Sequence, residues 1–137
     1  LRRLESLRLQ AGRVMGLGDV SDKVIPTPVL VSPAKAGGTI QVRYFMPHSC
    51  HRALAITGSI GLATACVIEG SIVAQMLGGI STPRLEAVRI EHPSGGIDVV
   101  LSYTGVNGET IQASVVRTAR RLFSGYVYAT DSQRLAG

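Results

Sequence analysis

Four short clusters in this 137-residue chain combine residue types and spacing that could do chemistry. Thr57-Gly58-Ser59 stands where a polar lead-in, opening at His51, gives way to an unbroken apolar run of small residues, 60–68. A helix beginning there offers backbone N–H groups without intrahelical partners and the positive end of its dipole. Gly58 keeps the backbone clear and two hydroxyls flank it, so the cluster could receive a carboxylate or a phosphate. The same residues also suit plain capping, with Gly58 admitting a neighbouring strand.

Glu91-His92-Pro93-Ser94-Gly95-Gly96 is the second cluster. It falls between two strand patterns, at a sheet end where binding residues gather. Pro and Gly-Gly also make an ordinary tight turn. The third, His48, Cys50 and His51, hints at a metal, but it has neither a fourth ligand nor a second paired motif, and no metal site is read from it. At the mouth of the helix His51 could instead act as an acid or base. In the fourth, Arg117-Thr118-Ala119-Arg120-Arg121, a solvated, salt-bridged strand competes with bidentate capture of a carboxylate by one arginine.

The elements that must position these clusters follow from periodicity. Leu1, Leu4, Leu7 and Val14 share one helical face, so a first amphipathic helix runs to about Val14, with Gly16 or Gly18 as its left-handed cap. Pro26 and Pro28 bracket an extended segment over 29–31, residues 33–38 form a surface turn, and Ile40, Val42 and Tyr44 alternate along a strand over 39–45. After the apolar helix, which Gly70 can end, residues 71–77 are ambiguous between helix and strand, and 78–83 are loop. Strands are expected over 85–91, around Ile97 to Tyr103, over 110–117 after an Asn107-Gly108 turn, and over 125–129. A helix apolar on every side needs cover all round. The expected architecture is therefore α+β: a curved antiparallel sheet wrapped around a buried central helix.

Composition narrows the function classes. Hydrophobic residues make up 45% and charged residues 17%, which excludes a disordered chain. The net charge of +5 suits a small polyanion. No Lys/Arg stripe interleaved with aromatics is present, so nucleic acid is not read as a partner. Cys50 and Cys66 fit no metal spacing, and Cys66, inside the apolar run, reads as a buried reduced thiol. The apolar run is shorter than the ~20 residues of a membrane span. No membrane partner is read, and the expected location is the cytoplasm. The chain opens on Leu1 with neither initiator Met nor N-cap, which reads as the middle of a helix in a longer polypeptide.

Five blocks together resemble the PrpF-like isomerases, which share the diaminopimelate epimerase fold. They are Met15-Gly16-Leu17-Gly18, the segment from His51 through Thr57-Gly58-Ser59, Gly70-Ser71-Ile72-Val73, His92-Pro93-Ser94-Gly95, and the segment from Arg117 to Gly125. The resemblance implies an enzyme that shifts or isomerises the double bond of unsaturated di- and tricarboxylic acids, such as methylaconitate, aconitate, methylitaconate or oxalomesaconate. It implies allylic proton transfer without metal or organic cofactor, in a cleft between two similar halves.

Only the second half is matched. The expected domain plan is residues 1–17 as the helix at the junction with a missing first half, and 18–137 as the second domain. The proton-transferring Lys and Cys belong to the first half, so this chain carries no catalytic residue. Carried over, Thr57, Gly58 and Ser59 form an anion-binding helix start, His92, Ser94 and Gly95 line the cleft, and His51 stands near its edge. Cys50 before His51, and Ser71 where Thr is commoner, depart from the pattern. The implied partners are a small polycarboxylate and the first half of the same polypeptide, with self-association left open. An amino-acid epimerase or racemase of this fold would place a Cys beside this helix start, where Ile56-Thr57-Gly58-Ser59 stands. A non-catalytic binding or assembly domain is the alternative outside enzymes.

Overall fold

The computed structural model describes residues 1–46, 49–79, 85–105, 109–126 and 128. Helix α1 (Arg2–Val14) is followed by strands β1 (Val29–Pro33), β2 (Ile40–Met46) and the two-residue β3 (Ser49–Cys50). Helices α2 (Ile56–Ala65) and α3 (Ile72–Met76) precede strands β4 (Ala87–His92), β5 (Gly95–Thr104) and β6 (Thr110–Val115). The sheet runs β1-β2-β4-β5-β6, with β3 folded back on the end of β2.

The sheet is mixed rather than purely antiparallel. Strands β2 and β4 pair in parallel, Ile40 with Ile90 and Gln41 with Glu91, while the other pairs are antiparallel. The cause is connectivity: α2 and α3 lie between these two strands in the chain, and a parallel pair needs such a crossover. Alternation along β5 turns Ile97, Val99 and Leu101 inward, where they join Val88, Ile90, Ile40 and Val42.

Against this face packs α2, shorter and less enclosed than its apolar run suggested. It touches β4, β5 and β6 and buries Ser59 and Ala63. Ile56, Thr57 and Gly61 face outward and are exposed. The sheet thus covers one side of the helix; the cover expected on all sides is absent among the described residues. Residues 51–55 stay out of the helix because the His51 ring bonds the backbone of Ala53, whose N–H donates to Nδ1.

The ambiguous run 71–77 is helical, since the Ser71 hydroxyl caps α3 by accepting the Ala74 N–H at 2.9 Å. The same hydroxyl donates to the Ala65 carbonyl at the end of α2 and so couples the two helices.

The amphipathic first helix forms over the expected span, but its leucines are not its buried residues. Its buried residues are Arg8 and Gly12, whereas Leu1, Leu7 and Val14 are exposed. Arg8 is 2% exposed. Its guanidinium donates to both Glu5 carboxylate oxygens, at 2.7 and 2.8 Å, and to the carbonyls of Val20 (2.9 Å) and Ile25 (2.8 Å). A planar, five-donor head satisfied this fully can be buried where a bare charge could not. Gly12 is needed because the Val20 side chain lies where a Cβ would fall, at 2.5 Å. The C-terminus closes as expected: Gly16 takes φ +75°, its N–H bonds the Arg13 carbonyl, and the Leu17 N–H bonds that of Gly12.

Beyond β6 the expected last strand is not formed: Gly125, Tyr126 and Tyr128 belong to no strand, and 127 and 129 lie outside the described residues. Arg117, Arg120 and Arg121 are exposed and outside any strand, and form no ion pair among the described residues. His48, the Asn107-Gly108 turn and residues 80–83 of the expected loop also lie outside the described residues.

Candidate functional site

The N-terminus of α2 is the chemical feature the fold presents. Its N-cap residue is Ala55, in an extended conformation, and no side chain caps the helix. Ala at this position forgoes about 1 kcal/mol relative to Ser, Thr, Asp or Asn. The amides of Ile56, Thr57 and Gly58 have no hydrogen-bond partner among the described residues, and the first amide inside the ladder is that of Ser59, bonded to the Ala55 carbonyl at 2.8 Å. Three free amides converge at the positive end of a ten-residue helix.

The β2–β3 hairpin returns the chain so that His51 lies beside Tyr44. The His51 N–H donates to the Tyr44 carbonyl at 2.7 Å, and the two rings meet edge to face with centroids 6.3 Å apart. His51 is exposed. With Nδ1 held against the Ala53 backbone, Nε2 is the ring atom left for a ligand or solvent.

The turn between β4 and β5 arrives from the opposite end of the sequence. Ser94 Oγ donates to the Arg52 carbonyl at 2.8 Å, and the Ser94 N–H donates to His92 Nδ1 at 3.3 Å. These bonds set the His92–Gly95 turn against the lead-in to α2. Gly95 adopts φ +137°, with open space where a side chain would stand. His92 and Gly95 also border a recess of about 280 Å³ lined further by Gln41, Arg89 and Glu91.

Of the residues picked from the sequence, Thr57 and Gly58 form the tip, His51 meets the Tyr44 ring that lies over Gly58, and Ser94 is tied to the lead-in at Arg52, with His92 and Gly95 in the same turn. Ser59 does not present its hydroxyl there. It is fully buried and donates at 2.7 Å to the Ile56 carbonyl, so it serves the helix from inside. Glu91 is also structural: its carboxylate accepts N–H groups from Lys35 (2.8 Å), Ala36 (2.7 Å) and Gly38 (2.8 Å), bracing the turn before β2. Those bonds, Lys35 foremost and then Gly38, hold its carboxyl below the ordinary range against the opposing effect of burial.

Cys66 stays outside the site. It is buried, its Sγ donates to the Leu62 carbonyl, and burial pushes its thiol up to about 11. Sequence reasoning missed two contributors. Ala55 matters through the cap it fails to supply, and Tyr44, noted only for strand alternation, lies with its ring over Gly58.

Comparison with known proteins bears on the family and the fold. An Escherichia coli (strain K12) protein whose name, YbhH, carries only a provisional isomerase assignment is 57% identical over 128 residues, 93% of this chain and 36% of the relative. The 4-oxalomesaconate tautomerase of Pseudomonas putida is 45% identical over 125 residues, 91% of this chain and 34% of that protein. The chain therefore spans about a third of the length of the curated relatives it matches.

A crystal structure of methylitaconate-delta-isomerase superposes with a TM-score of 0.69 at 26% identity, covering 98% of this chain and 38% of that one. The fold is the α+β, diaminopimelate epimerase-like one. The family pattern described as "PrpF protein" matches residues 1–130, and the chain belongs to that family.

Proposed function

We propose that this chain is the second half of a cofactor-independent isomerase that shifts or isomerises the double bond of an unsaturated di- or tricarboxylic acid. The observation that carries the reading is the uncapped start of α2 beside the Ser94 turn, in a chain 45% identical to a 4-oxalomesaconate tautomerase. Removing an allylic proton from an acid that already bears several carboxylates builds further negative charge. Fixed donors and dipoles stabilise that charge without reorganising as it develops. In this reading the amides of Ile56, Thr57 and Gly58 receive one carboxylate. Ser94, His92 and Gly95 border it on one side and His51 on the other, and Ser59 supports the helix from within.

The proton-transferring groups lie outside these residues, in a first half that shares the cleft. The exposed apolar residues Leu1, Leu7, Ile72, Leu122 and Phe123 support further cover. Residues 1–17 then form the junction helix and 18–137 the second domain, in the cytoplasm. No helix among the described residues is long and apolar enough to cross a membrane.

Proton exchange tests the reading. The full-length polypeptide carrying this chain is expected to exchange allylic protons of aconitate or methylaconitate with deuterated water, followed by NMR, and the 137-residue chain alone is not. Absence of exchange in the full-length protein with these acids and with oxalomesaconate and methylitaconate refutes it.

A further inference from the structure

Glu91 is a buried charge whose hydrogen-bond partners all lie in one turn far away in the sequence. The residue is 6% exposed, and its carboxylate accepts the N–H groups of Lys35, Ala36 and Gly38 at 2.7–2.8 Å. Amides converging on one carboxylate form an anion nest, and each bond to a charged acceptor is about twice as strong as a neutral one. Gly38 has no room for a side chain: a Cβ would fall 2.8 Å from Glu91 Cγ and 3.0 Å from the Arg89 carbonyl oxygen. Thr39 continues the join, its N–H donating to the Arg89 carbonyl at 2.8 Å and its hydroxyl accepting the Arg89 N–H at 3.2 Å.

This staple closes one step before the His92–Gly95 turn. Glu91 pairs with Gly96 and His92 with Gly95 across β4 and β5, so the stapled residue and the turn belong to one hairpin end. The parallel joint beside it is short, Ile40 with Ile90 and Gln41 with Glu91, and parallel pairing is the weaker kind per residue. Glu91 alternates with the core residue Ile90, so the staple grips the strand from the face turned away from α2. The other hold on the turn is the bond from Ser94 Oγ to the Arg52 carbonyl, in the lead-in to α2. One bond alone is a pivot. Two holds of different origin fix a position.

We propose that Glu91 is a positioning residue, which fixes the His92–Gly95 turn against the α2 lead-in by stapling residues 35–39 to the end of β4. It touches no substrate and acts through His92, Ser94 and Gly95. The inference rests on the reading of that turn as one border of a polycarboxylate site, and adds what keeps the border in place. A displaced border loosens the hold on the acid and leaves the proton-transferring groups as they were.

The test uses the full-length polypeptide and three variants. Glu91→Gln removes the charge at the nest. Thr39→Val removes one exposed bond of the same staple and carries the test if Glu91→Gln does not fold. Tyr103→Phe removes a hydroxyl bonded to the Leu85 carbonyl elsewhere on the sheet and controls for lost stability. Amide hydrogen exchange, followed by mass spectrometry on peptides spanning the turn, needs no ligand. Glu91→Gln and Thr39→Val are expected to speed exchange at Ser94 and Gly95. They are also expected to raise KM for the acid several-fold with kcat held within about twofold. Tyr103→Phe is expected to change neither reading.

Unchanged exchange at Ser94 and Gly95 in the staple variants overturns the proposal, as does faster exchange with KM unaltered. An equal rise of KM in Tyr103→Phe overturns it too, since general loss of stability then accounts for the effect. If wild type turns over no unsaturated acid, the activity reading fails by itself. Exchange at the turn then decides the role of Glu91: faster in both staple variants and not in the control upholds it, and any other pattern removes it.

Discussion

Ser94 Oγ donates to the carbonyl of Arg52 at 2.8 Å, tying the β4–β5 turn to the lead-in of α2 across 42 residues of sequence. Through this bond the turn and the helix tip keep a fixed relative position. Replacing Ser94 by Ala is expected to cost roughly 0.5–1 kcal/mol of stability, the net value of one exposed hydrogen bond. It is also expected to raise KM for the acid several-fold in the full-length protein. Denaturant unfolding and steady-state kinetics read the two effects separately. A normal KM in Ser94→Ala would remove the turn from the binding surface.

The two glycines of α2 should respond oppositely to alanine. At Gly58 the new Cβ meets the Tyr44 ring at 2.7 Å, and that ring cannot swing aside without leaving His51 and the core. Overpacking of this kind costs about 1–3 kcal/mol, which exceeds the helix-propensity gain. Gly61, in the same helix, has nothing within 4 Å of the added atom, so Gly61→Ala should stabilise the chain by up to about 1 kcal/mol. Thermal melts of both variants check the pair, and equal shifts would contradict the packing described.

The two cysteines should differ sharply towards thiol reagents. At pH 8, Cys50 is exposed and Cys66 buried, so one equivalent of Ellman's reagent is expected to react in the folded protein and two after denaturation. The pH dependence has a defined sign. Burial raises the Cys66 thiol from its ordinary 9.0 to about 11, so its neutral form is the one the fold favours. That contribution is complete below pH 9 and is lost as pH rises towards about 11. Cys66→Ala should flatten this alkaline limb of the unfolding curve.

Glu91 sets the acid limb. Its carboxyl lies below the ordinary 4.5 because the amides of Lys35, Gly38 and Ala36 bond the charged form. The stabilisation is present above that ordinary value and disappears as pH falls through the lowered one. Glu91→Gln keeps the size but puts an NH2 group where an oxygen accepted an amide. It is expected to lower the melting temperature by several degrees at pH 7 and to reduce the difference between pH 7 and pH 3. A variant with the wild-type acid profile would show that other groups control this limb.

The strand pattern was legible because β5 and β4 obey the two-residue rule: Ile97, Val99 and Leu101 point one way and Val100 and Ser102 the other. The α2 tip was legible because Gly58 interrupts a polar-to-apolar switch. Four features were not. The parallel pairing of β2 with β4 leaves no mark in either strand, since it is fixed by the route of the chain through α2 and α3. The burial of Arg8 on α1 was hidden because leucines at helical spacing normally mark the inward face, yet here Arg8 finds two carbonyls and a carboxylate in the 20–25 loop and at Glu5. Ser59 looked like a ligand from its neighbours, but its register on α2 faces the sheet, where its hydroxyl can reach only Ile56. Tyr44 was readable as a strand residue and unreadable as a neighbour of Gly58, because 14 positions separate them and only the hairpin return brings them together.

The burial of Arg8 bears on how this polypeptide can be shortened. Its guanidinium is the only described group bonding the carbonyl of Ile25, and it shares in fastening the strap from Val20 onward to the first helix. A version beginning after Arg8 would strip that strap of its rivet and leave its oxygens to find water, so the opening turns behave as part of the framework rather than as a detachable tag.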